Sequence, residues 1–249
     1  MLQATGRLDE AIESLQEAAR LKPNSAPLRQ TLIGALITRG RFDDAHKESE
    51  LLIQGTPTGD LGRPRADVVA RHSQLVAELA ADLAAVENGT RVPKDGAECL
   101  AFADLFRARR DYAKAVGYFA RAFEAHFGTP YQVIDGYWRT FDAARCAALA
   151  GAIGDDGDGA SSDERKAWRA LALAWLRQQL QGHETLFARG GLGSHRLLLM
   201  SLVEWKVDPD LAALRDDALL ERLPEDEQAS WRELWRDVDA LSQRARSSD

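Results

Sequence analysis

Apolar side chains recur along the chain at spacings of three and four. No stretch alternates apolar and polar as a half-buried strand does, so the pattern predicts an all-α protein. Leu8, Ala11, Leu15 and Ala18 share one face of a helix that stops by Pro23. Leu32 with Leu36, and Phe102 with Phe106, stand one above the other at i, i+4 on two further helices. Val68, Val69, Leu75, Val76, Leu79, Leu83 and Val86 predict one long helix, closed by Asn88-Gly89 and preceded by a breaker-rich linker from Gly55 to Pro64. Helices are also expected over about 97–109, 112–126 and 132–152, the last with Val133, Ile134, Tyr137, Phe141 and Ala144 on one side. After the acidic, Gly-rich stretch 154–162, Ser161 and Glu164 form a capping box for a helix over about 163–188 marked by Trp168, Leu171, Trp175 and Leu186. Leu197, Leu198, Val203 and Trp205 mark the next helix, Asp208-Pro209 opens a short helical segment, and Trp231, Leu234, Trp235, Val238 and Leu241 stripe the last.

The pattern also repeats. Gly6-Arg7-Leu8-Asp9-Glu10-Ala11 returns 34 positions later as Gly40-Arg41-Phe42-Asp43-Asp44-Ala45, and again 70 positions on as Arg110-Asp111-Tyr112-Ala113-Lys114-Ala115. A glycine at a helix–helix turn, a large apolar residue two later and an alanine five later place a bulky and a small side chain on one face of a second helix, where the first can approach closely. With its period of 34, this resembles the tetratricopeptide repeat, a pair of antiparallel helices. Phe119 and Ala122 continue the third copy as Leu15 and Ala18 continue the first, whereas Ser49 and Leu52 fit the second less well. The expected architecture is a tetratricopeptide-type helical-hairpin solenoid with a Trp-rich C-terminal helical extension. Its segments are N-terminal repeats over 1–54, the first one incomplete; a linker, long helix and further repeat over 55–152; and an extension packed on the solenoid over 153–249.

If Gly6 is the first turn, the helix before it would begin about nine residues ahead of Met1. The chain is therefore expected to start inside a repeat and to be a piece of a longer polypeptide. Residues 1–20 would then fray or self-associate through the face left bare by the missing helix.

Composition narrows the chemistry. With 39 acidic against 32 basic side chains the formal charge is −7, which argues against nucleic-acid binding. No run of 18 apolar residues occurs and acids interrupt residues 1–20, so neither a membrane span nor a signal peptide is expected and the default location is cytoplasmic. Cys99 and Cys146 are too few for a disulfide framework or a zinc site. His46, His72, His126, His183 and His195 are scattered without metal-ligand spacing, and residues 154–162 do not match a calcium loop. Kinase motifs and a G-x-S-x-G elbow are missing. All six tryptophans fall between Trp138 and Trp235, at helical spacings that favour core packing over a ligand platform. A non-enzyme without cofactor or metal is the expectation.

A regional likeness adds to this. Leu100-Ala101-Phe102-Ala103-Asp104-Leu105-Phe106, Arg109-Arg110-Asp111-Tyr112 and Tyr118-Phe119-Ala120-Arg121-Ala122-Phe123 resemble the C-terminal tetratricopeptide region of large bacterial serine/threonine protein kinases. So do Ala143 to Ala150, Ala174-Trp175-Leu176-Arg177, Trp205-x-x-Asp208-Pro209-Asp210-Leu211 and Trp231-Arg232-Glu233-Leu234-Trp235. The likeness covers roughly residues 66–245 and implies kinship with a kinase tail, not kinase activity. The leading expectation is a protein-interaction scaffold that takes a protein or peptide partner along its first helices, through Gln30, Ile37, Asp104 and Arg107. The alternative is a regulatory or substrate-docking kinase tail without its catalytic domain. Asn24 and Asn88, at helix ends or linkers, do not make a carboxylate clamp.

Overall fold

The computed structural model describes residues 2–60, 62–126, 136–152, 160–189 and 194–247, and among these no strand occurs. The chain forms two compact units, Met1–Asp135 and Gly136–Asp249. The helix after residue 135 packs on the helices that follow it.

In the first unit, α1 (Leu2–Leu21), α2 (Ala26–Arg39), α3 (Phe42–Gly55) and α4 (Arg63–Leu79) each pack on their neighbour in sequence. Leu32, Ile33, Leu36, Ala45 and Leu52 form their core, with Ile12 and Ala19 of α1 buried in it and Leu8 and Leu15 packed at its edge. The two-residue connection between α2 and α3 turns on Gly40, whose φ of 80° is left-handed. Its N–H donates to Ile37 O and the Arg41 N–H to Leu36 O, a Schellman cap that satisfies carbonyls left over at the helix end. Ser49, the poorer repeat match, is buried nonetheless, its hydroxyl donating to His46 O at 2.6 Å.

Two expectations fail at the N-terminus. Gly6 lies inside α1, which runs without a turn from Leu2 to Leu21. Ala11 is exposed although its counterparts Ala45 and Ala115 are at 0% exposure. α1 runs straight through Gly6, so among the described residues no helix folds back from there onto Ala11. The rest of the face is not bare: Ile12 is 1% exposed because α2 covers it.

The expected long helix is interrupted. α4 ends at Leu79, one 3₁₀ turn spans Ala80–Asp82, and α5 (Leu83–Glu87) completes the rod before Gly89, whose φ is 75°. α6 (Gly96–Ala108) and α7 (Tyr112–His126) form the third repeat. Asp95 caps α6 by accepting the Glu98 N–H. Phe102, Phe106 and Phe119 are fully buried, with Tyr118 stacked on Phe106 at 5.3 Å. α6 packs on α2, α4 and α7, and Cys99 to Phe106 are buried except for half-buried Leu100, as an all-round apolar helix requires.

The second unit contains α8 (Gly136–Ala150), α9 (Ser162–Arg189), α10 (Ser194–Val207), a 3₁₀ segment (Pro209–Leu214), α11 (Asp217–Leu220) and α12 (Glu225–Arg246). The expected α8 residues Val133 and Ile134 lie outside the described residues; Phe141 and Ala144 are core. The capping box is present: Ser161 N–H donates to Glu164 Oε2 at 2.8 Å, and Glu164 N–H to Ser161 Oγ at 3.2 Å. Trp205 lies at the centre, stacked on Phe141 of α8 and edge-on to His183 of α9. Trp231, Leu234, Val238 and Leu241 bury the α12 stripe, while Trp235 donates its indole N–H to Leu214 O at 2.7 Å. Leu186 and Val203, expected to mark buried faces, are exposed.

Arg169 joins three segments of this unit. It grips Glu227 through two bonds of 2.6 and 2.8 Å and donates to Gly151 O at 2.8 Å, with its side chain 5% exposed. A Cβ on Gly151 would stand 2.6 Å from Arg169 Cγ and 3.0 Å from Arg165 O, so glycine sets the close crossing of α8 over α9.

Candidate functional site

Of the four residues expected to face a partner, Gln30 of α2 and Arg107 of α6 are partly open; Ile37 is 4% exposed. Asp104 of α6 is at 0% exposure. His72 Nε2 of α4 lies 2.7 Å from its Oδ2, and Arg107 Nη2 lies 2.8 Å from its Oδ1. Asp104 ties α6 to α4 through His72, and Arg107, three residues on in α6 itself, closes on the same carboxylate; a carboxylate enclosed by apolar helices is retained only where cations and donors compensate its lost hydration. The one acid in the run Leu100–Phe106 was the available signal, since an acid amid such residues asks for a buried partner. Its identity was hidden, because His72 lies 32 positions away.

The His72–Asp104 pair has the form of a base and its orienting acid. A side-chain exposure of 9% and 0% gives it no cleft in which to meet a substrate. His183 is also buried, paired with Ser201 Oγ at 3.1 Å, and burial lowers its pKa to about 4. Burial pushes the Cys99 thiol up, against the nearby Arg121, which favours the inert thiol over the nucleophilic thiolate. No group of three metal-binding side chains gathers among the described residues. A notch of about 200 Å³ between Gly40, Leu83, Leu105 and Arg109 is smaller than ordinary small-molecule pockets.

One open face of the first unit lies on α2. Pro27, Thr31 and Gly34 are exposed and Thr38 is half-buried, at the spacing of one helical stripe, with Gln30 at its edge. Thr31 Oγ1 donates to Pro27 O and Thr38 Oγ1 to Gly34 O, so both hydroxyls bond within the helix. A Cβ on Gly34 would have nothing within 4 Å. The result is a low surface that a second backbone can approach.

A tetratricopeptide repeat family model matches residues 2–57, the segment that folds as α1, α2 and α3. No curated protein and no solved structure matches the chain. No described helix is long and apolar enough to cross a membrane.

Proposed function

Starting from tetratricopeptide helices over residues 2–57, we propose that the chain is a non-catalytic scaffold that docks an extended peptide or a partner helix on the open face of α2. The observation behind this reading is the low stripe of Thr31, Gly34 and Thr38 inside the matched segment. Helical repeats present such first-helix faces to partners. Gln30 supplies a polar contact at the edge. Ile37, Asp104 and Arg107 act from behind by fixing α2 and α6 in place.

The test is a peptide-library selection on the full chain, followed by calorimetric titration of a selected peptide. Gly34→Arg has room to fold and should weaken binding by at least about tenfold while leaving the thermal transition in place. Unchanged affinity in Gly34→Arg, or no peptide selected over a control scaffold, would reject the α2 face.

A second reading, a regulatory or docking tail of a bacterial serine/threonine kinase, is favoured by the ordered likeness over residues 66–245. An in-frame kinase domain in the genomic sequence ahead of the Met1 codon is its expected sign, and an unrelated gene there would sink it. On either reading the purified chain turns over no ATP, because neither a Gly-rich loop nor a kinase catalytic motif occurs in the sequence.

A further inference from the structure

The helix α10, SHRLLLMSLVEWKV, carries apolar side chains all round. Leu198, Leu202 and Trp205 bury one side in the second unit. On the opposite side Met200, Val203 and Val207 are 60%, 46% and 69% exposed, and Arg196 is exposed in line with them. Positions 196, 200, 203 and 207 follow one another at steps of four, three and four, the spacing of a coiled-coil seam. A helix apolar on both sides is ordinarily covered on both.

We propose that this α10 face joins two copies of the chain as a two-fold, antiparallel helix pair. The charges choose the occupant. When the seam is laid antiparallel on itself, Met200 meets Val203 of the second copy. The stem of Arg196 then crosses the second copy's Val207, and its guanidinium comes beside the second copy's Glu204. The two-fold axis makes each contact twice. Glu204 is exposed at the edge of the seam, with Asp208, Asp142 and Arg145 of its own chain nearby. An added guanidinium is the group that such a carboxylate favours. A foreign helix would have to reproduce this charge order, whereas a second copy brings it. At 14 residues the helix is about 21 Å long, and the seam alone buries less than the roughly 800 Å² per partner of a standard interface. The dimer is therefore weak, with a dissociation constant of roughly 10–100 μM. This association is separate from docking on α2, and each can fail without the other.

Sedimentation velocity on the full chain from about 1 to 300 μM reads it directly. A monomer–dimer equilibrium is expected, weakened at least about tenfold by Met200→Glu and by Val203→Glu, both solvent-facing changes that leave the melt intact. Arg196→Glu and Glu204→Arg should each weaken the dimer, and the double variant should restore it, because the swap rebuilds the same two pairs. A chain that stays monomeric to 300 μM overturns the proposal. So does a dimer indifferent to Met200→Glu and Val203→Glu, or one abolished by Ala11→Arg on α1 instead.

Discussion

Arg110 occupies the place of Gly40 in the third copy of the repeat, and the backbone treats the two alike. Its φ is 63°, its N–H donates to Arg107 O, and the Asp111 N–H donates to Phe106 O, the same cap as at Gly40. A side chain in this left-handed region costs about 1 kcal/mol that glycine does not incur. An added Cβ at Gly40 meets only ordinary contacts, the nearest being Ala108 Cβ at 3.8 Å, so Gly40→Ala should lose about 1 kcal/mol by conformation alone. Arg110→Gly should be neutral or gain up to about 1 kcal/mol, and urea unfolding of both variants checks the contrast. His183 gives a pH-linked prediction. Its folded pKa of about 4 lies below the unfolded value near 6.5, so its contribution is complete above pH 6.5 and fades as pH falls toward 4. The linked loss is on the order of 3 kcal/mol, and His183→Gln should flatten the decline of melting temperature over that window relative to the parent. Parallel slopes would show that carboxylates alone set it.

Between elements, small residues set how closely helices approach. Ala45 and Ala115 are at 0% exposure where α3 meets α2 and α7 meets α6. Enlarging either to leucine should cost about 1–3 kcal/mol by overpacking, whereas Ala11→Leu, at the equivalent but exposed position of α1, should stay within about 0.5 kcal/mol. Differential scanning calorimetry on the three variants separates a packed repeat from a merely repeated sequence. Gly151→Ala belongs with the costly pair, since its new methyl meets backbone and the buried Arg169 stem. The break between α4 and α5 shows the limit of periodicity at this scale. The apolar stripe from Val68 to Val86 continues across the 3₁₀ turn, so the sequence pattern registers the face and not the local tightening of the backbone.

At the scale of the chain, each unit has its own buried set, Leu32, Leu36, Phe102 and Phe106 in one and Trp205, Trp231, Leu234 and Val238 in the other. Residues 1–126 and 136–247, expressed separately, should therefore each melt cooperatively, and a fragment lacking a transition by circular dichroism would refute independent folding. The sequence by itself determined the all-α class, the helix–turn–helix of the second copy around Gly40, the capping box at Ser161 and the core roles of Phe102, Phe106, Trp205 and Trp231. These depend on spacing within one helix, and spacing is local. Only the tertiary structure decided that Asp104 is enclosed by His72 and Arg107 instead of facing a groove, that Ala11 is bare, and that α8 belongs with the helices after it. It also decided that Met200, Val203 and Val207 look outward while Leu198 and Leu202 look in. A helix with apolar residues on every side offers no local cue to which side is covered. That choice is made by the helices packed against it, α2 and α4 around α6, and α9 and α12 around α10.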